Sequence, residues 1–317
     1  MTPAEVRERV RAGGLLGDGS GPGVVVLLSG GRDSVCLLDV AVAVAGRGAV
    51  RALHCNYGLR AEAGDDERHC SELCDRLGVP LAVERARRPP DATGNLHAWA
   101  RDVRYAAGAR LAAARGARLA AGHTTSDQAE TILYRLATSP GRRALLGMAH
   151  AEGLLVRPLL RAGLSRADTA DYCLQAGLPW REDALNDDVR FARARVRGGL
   201  LAALRAVDAR AEANVLRTAA LLREEAEVLD GVVETVLAGS DRISLEHLGA
   251  LPPALARLVV RRLAEAATGR LCPRAPRRLE DLLTLRDGAL DVGDGARAVS
   301  EDGVLRFDCT PPLRTRP

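Results

Sequence analysis

The sequence predicts an α/β protein: a doubly wound parallel sheet, followed by a smaller, mainly helical C-terminal region that ends in a small β-meander. In the first half of the chain, short apolar segments alternate with helical segments over short connections. This alternation is typical of strand–helix–strand units, whose parallel strands share one sheet. The apolar run at 24–28 has no polar face, as expected for a strand that is buried on both sides.

The first half of the chain supplies the predicted sheet. A short amphipathic helix over residues 1–14 leads through a glycine-rich stretch into the first strand. Strands are predicted at 24–28, 49–57, 81–86, 117–123 and 154–160. Helices are predicted at 35–45, 65–78, 95–116 and 126–137. The last of these helices is expected to begin with a capping box formed by Thr125 and Gln128.

The second half is predicted to be mainly helical. Helices are expected at 165–177, 194–207, 212–239 and 243–269. Within the last range, Pro252 and Pro253 stand near a helix start. A break near residues 240–242 marks a candidate domain boundary. Residues 289–307 alternate in polarity and turn at glycines, which predicts the meander.

Composition narrows the classes of protein that remain. The 317 residues contain no lysine, so all 45 basic residues are arginines, whose planar guanidinium suits phosphate and carboxylate. The formal charge of +4 is compatible with a nucleic-acid partner. The seven cysteines are scattered and show neither a disulfide framework nor a zinc motif. No apolar run approaches the roughly 18 residues of a membrane span, so we expect a soluble, cytoplasmic protein without a membrane partner.

Three polar segments follow predicted strands. They are SGGRDS at 29–34, Asn56 to Arg60, and GHTTSDQAET at 122–131. Because the carboxyl ends of parallel strands lie along one edge of a sheet, these segments are predicted to converge on one ligand site.

The SGGRDS segment has the features of an anion-binding turn. It follows a strand and opens a helix, so its backbone N–H groups can surround an anion at the positive end of the helix dipole. It is not a Walker A loop, which requires GxxxxGK[ST], and the chain has no lysine to reach a terminal phosphate.

Other segments offer charged side chains. Asp127 falls in the first turn of a predicted helix, where it either stabilises the helix or binds a cation at the ligand edge. Arg101 and Arg104 are three residues apart on a helix, which places both on one face where they could hold a phosphate. Residues 181–197 combine an acidic stretch with several arginines.

Read together and in order, these motifs resemble those of the tRNA(Ile)-lysidine synthetases, a family of PP-loop ATP pyrophosphatases. The resemblance rests on SGGRDS, HCNYGLR, ARDVRY, GHTTSDQAET, RPLL and EDALNDDVRFARARVR, and it covers about residues 20–205. The sequence departs from the family pattern at Ser126, Tyr57 and Ala194, where the family usually has an acidic residue, histidine and asparagine.

The resemblance implies a PP-loop fold of the adenine nucleotide alpha hydrolase type, with ATP and Mg²⁺ as cofactors. The implied substrates are tRNA(Ile) with a CAU anticodon and free L-lysine, and the resemblance allows for a homodimer. It implies that the nucleotide is bound by Ser29, Gly30, Gly31, Arg32, Asp33 and Ser34. The catalytic candidates are Asp33, Asp127, Arg101 and Arg104. The substrate-binding candidates are Asn56, Arg60, His123, Arg193 and Arg197, and the metal ligands are left unassigned.

The implied organisation has three parts. Residues 1–210 form the PP-loop ATP-binding catalytic domain, 211–239 a linker helix, and 240–317 a small domain that positions tRNA.

Three alternative functions remain open. A tRNA thiolase would need a cysteine pair, and Cys70 and Cys74 form only a CxxxC. A glutamine-dependent ligase would need a glutaminase domain that this length does not hold. A nucleotide- or tRNA-binding module without turnover is favoured only by Ser126.

Overall fold

The computed structural model describes residues 1–17, 21–59, 62–89, 93–139, 141–182 and 192–311. The chain divides into two compact units, Met1–Ala220 and Leu221–Pro317. Each unit has its own buried apolar core.

A mixed sheet organises the first unit. Among the described residues its strands are β1 (Val24–Leu27), β2 (Val50–Asn56), β3 (Leu81–Arg85), β4 (Arg118–Ala120), β5 (Ala151–Glu152) and β6 (Leu155–Val156). They lie in the order β3-β2-β1-β4-β6-β5, and only β5 is antiparallel to its neighbour. Strand β1 is central, with Val24 in register with Val50 on one side and Arg118 on the other.

Helices connect and cover these strands. Those of the first unit are α1 (Pro3–Ala12), α2 (Arg32–Ala45), α3 (Ala63–Leu77), α4 (Leu96–Ala113), α5 (Thr125–Thr138), α6 (Arg142–Leu145), α7 (Pro158–Arg161), α8 (Arg166–Gln175), α9 (Ala192–Arg195) and α10 (Ala202–Val207). A π-helical segment, Val196–Leu201, joins α9 to α10, and helix α11 (Ala211–Leu237) contains the boundary between the units.

The alternation of side chains along β1 explains its continuous apolar sequence. Val24 and Val26 belong to a core shared with α1, α2, α3 and α8, whereas Val25 and Leu27 pack with residues of α4, including Ala107. A strand buried on both faces requires apolar residues at every position. Helices therefore cover both faces of the sheet, which confirms the predicted doubly wound architecture.

The second unit is an antiparallel sheet packed against helices. Its strands are β7 (Arg242–Ser244), β8 (Gly288–Gly293), β9 (Ala296–Glu301) and β10 (Val304–Cys309), in the order β7-β10-β9-β8. Its further helices are α12 (Leu245–Ala250), α13 (Pro253–Thr268) and α14 (Leu279–Leu283). Val259 and Leu263 of α13 pack on Leu305 and Phe307 of β10 in one core. The predicted C-terminal meander is confirmed as β8 to β10.

Two predicted elements differ in the structure. The strand predicted at 154–160 is only two residues long, because Pro158 has no N–H to extend the ladder and instead begins helix α7. The helical region predicted over 243–269 begins instead with the end of strand β7 and then forms two helices, α12 and α13. Pro253 stands at the first turn of α13, as expected for prolines near a helix start.

Candidate active site

The SGGRDS turn joins the end of central strand β1 to helix α2. The Ser34 hydroxyl donates to the Gly31 carbonyl at 2.8 Å and accepts from the Ser29 N–H at 3.1 Å, so the turn is closed by its own side chains. Gly30 has a φ of +84°, and a Cβ there would lie 3.3 Å from atoms of His69 and Cys70. The turn therefore requires glycine at position 30. The first N–H groups of α2, those of Arg32 and Asp33, have no intrahelical acceptor and remain available for an anion.

The segment after β4 lies against the first turn of α2. A Cβ on Gly122 would lie 3.0 Å from the Asp33 carbonyl oxygen and 3.2 Å from the Ser34 nitrogen. Both are backbone atoms, which cannot turn away as a side chain can. Gly122 thus permits a close approach that brings His123 and Thr124 beside the SGGRDS turn.

Helix α5 begins one residue earlier than expected. Thr124 is its N-cap and accepts from the Asp127 N–H, while the Asp127 carboxylate accepts from the Thr124 N–H at 2.8 Å. The prediction of a Thr125–Gln128 capping box was therefore wrong. Thr124 has the extended backbone of an N-cap, and Gln128 is buried, with its amide bound to the backbone of Met148.

Three carboxylates from two helices surround one arginine at the start of α8. Arg166 lies 2.9 Å from Asp127 and 3.0 Å from Glu130, both on α5, and its Nε lies 3.9 Å from Asp33 on α2. Glu130 is only 2% exposed and also accepts from Arg197 at 2.7 Å. The structure thus brings Asp33 and Asp127 together, with Arg166 between them. We call Asp33, Asp127 and Glu130 the carboxylate cluster.

The two aspartates differ in their electrostatic surroundings. Burial raises the pKa of Asp33 above its ordinary value; the Thr169 hydroxyl, which donates to it, opposes the rise, and the charge of Asp127 adds to it. Burial also raises the pKa of Asp127, but Arg166 and the hydrogen bonds from Thr124 outweigh burial and hold that pKa below its ordinary value. At Asp33, burial outweighs two nearby cations, Arg32 at 3.5 Å and Arg166 at 3.9 Å, whereas Asp127 is a stable carboxylate.

His123 is held as a neutral base among arginines. Burial lowers the pKa of His123 to about 4, and Arg157, Arg101 and Arg104 act in the same direction against Asp127. The Arg157 Nε donates to His123 Nδ1 at 3.2 Å, which assigns the imidazole proton to Nε2. Arg157 itself is only 3% exposed and donates to the Ala149 carbonyl at 2.6 Å.

Arg101 and Arg104 share one aromatic ring. Their guanidinium carbons lie 4.7 and 5.5 Å from the centre of the Tyr105 ring. Neither has a carboxylate partner within the described ranges of the chain, and both act on the pKa of His123. This group of cations therefore offers an uncompensated surface to an anion beside His123.

The other predicted substrate-binding residues differ in their surroundings. Asn56 ends β2, where its side chain donates to Glu67 at 2.9 Å and accepts from the Gly58 N–H, so it organises the following turn. Arg193 is exposed on α9. Arg197 is held by buried Glu130. Arg60 lies outside the described residues, as do residues 183–191, which carry the asparagine and three acidic residues of the resemblance.

Several residues of the site were missed by the sequence reasoning. Glu130 is the last acid of the GHTTSDQAET segment, and its burial could not be predicted from an apparently polar helix start. Arg166 follows the cap residue Ser165, and the sequence pattern there predicts only a helix. Arg157 belongs to the quoted RPLL segment, so a signal for it was present in the sequence.

Ser126 connects the helices that carry the carboxylates and Arg166. Its side chain is buried, and its hydroxyl accepts from the Arg166 N–H at 3.3 Å. An acid at this position would add a fourth carboxylate beside Asp127.

Both a protein-family model and individual proteins are similar in sequence to this chain. Residues 6–204 match the sequence model of the PP-loop domain. The tRNA(Ile)-lysidine synthase of Gloeobacter violaceus is 36% identical over 288 residues, which cover 85% of each chain, and that of Leifsonia xyli is 36% identical over 90% of each. The synthase of Solibacter usitatus is 39% identical, and the match covers 80% of this chain but only 58% of that longer protein.

A solved structure supports the fold alone. The U34-tRNA thiolase NcsA from Methanococcus maripaludis matches with a TM-score of 0.57 and 17% identity, over 69% of this chain and 78% of its own. With the SGGRDS turn at the end of the central strand, the first unit has the architecture of a PP-loop domain. The chain belongs to the PP-loop family and, within it, to the tRNA(Ile)-lysidine synthases.

The described residues also bear on membranes and metals. None of the helices found there has the length and apolar character needed to cross a membrane. The same residues contain no ready-made group of three His, Cys, Asp or Glu side chains arranged around a metal ion.

Proposed function

We propose that this chain uses ATP to convert the wobble cytidine of a CAU-anticodon tRNA(Ile) into lysidine. The cytidine C2 oxygen attacks the α-phosphorus of ATP, and the bond to the β-phosphate oxygen breaks to release pyrophosphate. The amine of L-lysine then attacks C2 and loses a proton, and the C2–oxygen bond breaks to release AMP. The observation that carries this proposal is the position of Asp33, whose backbone belongs to the anion-binding turn while its side chain belongs to the carboxylate cluster.

The SGGRDS turn suits the first step. The free N–H groups at the start of α2 and the dipole of this 14-residue helix stabilise the negative charge of a pyrophosphate leaving group. Close packing of the turn fixes these donors before the substrate arrives, so no reorganisation is needed as charge develops.

The carboxylates suit the second step, because lysine is bound as a cation and must react as a neutral amine. We propose that Asp127, a stable carboxylate, holds an ammonium group. Asp33 has a raised pKa, which favours it as the acceptor of the proton that the amine loses. A bound ammonium would also relieve the repulsion between the charges of Asp33 and Asp127.

The residues present fit Mg²⁺ bound with ATP. Magnesium is usually held by one or two carboxylates together with phosphate oxygens, so a ready-made protein cage is not required. Asp33 is the carboxylate nearest the turn and would supply such a ligand in the first step, while ATP is bound. The ion would offset the charge of the phosphates.

The cations beside His123 suit the nucleic acid. We propose that Arg101 and Arg104, stacked on Tyr105, bind a phosphate of the tRNA or of the adenylated base, with His123 Nε2 as a neutral donor.

We further propose that the second unit positions the tRNA. A chain ending at Ala220 should then bind ATP but lose most modification, measured as lysine incorporation into tRNA. Modification at the full rate by this shorter chain would refute that role.

The decisive experiment measures pyrophosphate, AMP and base modification with unmodified tRNA(Ile), ATP and lysine. We expect all three products with the complete mixture, and no lysidine when lysine is omitted. Sulfur incorporation would instead indicate a thiolase. Burial raises the pKa of both Cys70 and Cys74 to about 12, so neither is a thiolate at neutral pH, which disfavours that chemistry at this pair. ATP binding without product would indicate a binding module.

A further inference from the structure

The side chain of His69 and the backbone of Arg181, two residues outside the proposed mechanism, border the SGGRDS turn. A Cβ on Gly30 would lie 3.3 Å from Cδ2 of His69, which belongs to α3. The Arg181 N–H donates to the Gly30 carbonyl at 3.0 Å, and the Arg181 carbonyl oxygen would lie 3.9 Å from a Cβ on Gly31. A helix and a loop that are more than 100 residues apart in sequence therefore meet at the turn.

His69 presents an unused polar atom at this place. Its Nε2 is buried and has no hydrogen-bond partner in the part of the chain that the structure describes. This nitrogen is bonded to Cδ2, the atom nearest Gly30. A buried polar atom without a partner costs free energy, so such an atom beside a binding turn indicates a contact that a ligand completes.

The protonation state of His69 makes it a donor to an anion at low cost. Burial lowers the pKa of His69, and the nearby charge of Arg181 lowers it further. The ring is therefore mainly neutral at pH 7, and its Nε2–H tautomer offers one N–H donor at this place. An anion that binds beside the ring would accept this hydrogen bond without first having to lose a competing partner of Nε2.

Arg181 supplies the positive charge. Its Nε lies 2.6 Å from the carboxylate of Asp66 on α3, and its side chain remains 40% exposed. A guanidinium has five N–H donors, more than one carboxylate occupies, so it retains the capacity to bind a phosphate oxygen. Because the chain contains no lysine, an arginine must provide any side-chain cation at this turn.

We propose that His69 and Arg181 form a clamp that binds the pyrophosphate portion of ATP against the SGGRDS turn. This inference rests on the proposed function, in which pyrophosphate is the leaving group. The clamp contacts the terminal phosphates and not the AMP portion. It therefore contributes to binding of ATP and pyrophosphate but not to binding of AMP.

Calorimetric titration of the full chain with pyrophosphate, ATP and AMP tests the clamp. We expect Arg181→Met and His69→Leu each to weaken binding of pyrophosphate and ATP about tenfold and to leave AMP binding unchanged. His69→Gln should lose less than His69→Leu, because the glutamine amide can place an N–H near the position of Nε2. Arg68→Ala is the matched control, since this exposed arginine of α3 pairs with Asp65 and does not border the turn.

Asp66→Asn separates the clamp from a structural role of Arg181. If Arg181 binds phosphate, removal of the Asp66 charge leaves pyrophosphate binding as tight as in the wild type or tighter, because a competing acceptor has been weakened. If Arg181 only supports the fold through its ion pair, Asp66→Asn is as defective as Arg181→Met, and the proposal is overturned.

Wild-type pyrophosphate affinity in both Arg181→Met and His69→Leu would also overturn the clamp. Such a result leaves the proposed function intact, because lysidine formation is measured separately. A wild-type chain that binds pyrophosphate but forms no lysidine would contradict the function instead. Should Arg181→Met lose AMP binding through misfolding, Arg181→Lys provides the second test, with AMP affinity as the check on its fold.

Discussion

Replacing Gly122 by alanine should damage the site through sterics alone. The added Cβ would lie 3.0 Å from the Asp33 carbonyl oxygen, whereas ordinary contact begins near 3.4 Å, so about 0.4 Å must be gained by moving backbone. Overpacking of this kind typically costs about 1–3 kcal/mol. Gly48→Ala is the matched control, because Gly48 has open space around its Cβ position and no positive φ. Both variants restrict the unfolded chain equally, which by itself stabilises a protein by about 0.4–1 kcal/mol.

The two variants should therefore differ by about 1–3 kcal/mol in the free energy of unfolding, measured by urea denaturation. The same shift moves the His123 segment away from the start of α2. Since a displacement of about 1 Å can cost about a hundredfold in rate, we expect pyrophosphate release to fall about tenfold in Gly122→Ala and to stay unchanged in Gly48→Ala. Equal stability and equal rates in the two variants would refute the close approach as a requirement of the site.

Three further outcomes are expected. Asp127→Asn should lose most lysidine formation while Ser126→Asp is tolerated, because the serine hydroxyl already accepts from the Arg166 N–H and an aspartate could do the same; a wild-type rate in folded Asp127→Asn would reduce Asp127 to a helix-start residue. Binding of tRNA should weaken at least about tenfold between 50 and 200 mM salt, since arginine–phosphate contacts release counterions; an unchanged affinity by filter binding would contradict this. His123 has a pKa of about 4 in the folded chain, so between about pH 7 and 4 it binds a proton in the unfolded chain but not in the folded chain. The free energy of unfolding should therefore fall by up to about 3 kcal/mol over this range. His123→Gln should show a shallower pH dependence in denaturation midpoints, and identical slopes would be inconsistent with a buried neutral histidine.

The architecture of the first unit could be predicted from local patterns. The run at 24–28 appears as β1, because a parallel strand with two covered faces leaves a continuous apolar signature. The segment at 49–57, which includes polar residues, appears as β2. Prediction failed at 154–160, where the apolar residues suit a strand and a buried helical turn equally well. Pro158 decides between the two, since it cannot donate to a strand ladder.

The SGGRDS turn could be predicted from the sequence because the residues that form it are consecutive. The turn, its glycines and its helix dipole lie within a few consecutive residues. The carboxylate cluster could be predicted only in part, because Asp33, Glu130 and Arg166 come from three helices and their contacts depend on how those helices pack. Periodicity identifies a buried apolar face, but it does not show that a glutamate in the same helix is 2% exposed and paired with two arginines.

The two halves of the site favour each other's ligands. Polyphosphate at the start of α2 brings negative charge close to Asp33, whose pKa is already raised. That charge further disfavours an ionised Asp33 unless a cation binds nearby. An ammonium group or Mg²⁺ beside the carboxylate cluster supplies this charge, so binding of the nucleotide and binding of the cation are expected to be mutually favourable. Arg166 cannot serve both Asp33 and α5 equally, since it lies 3.9 Å from Asp33 but about 3 Å from Asp127 and Glu130. Arg32, at 3.5 Å, and Arg166 do not offset the burial of Asp33. Asp33, where the anion-binding turn and the proposed lysine site meet, is therefore the carboxylate expected to gain most from an added cation.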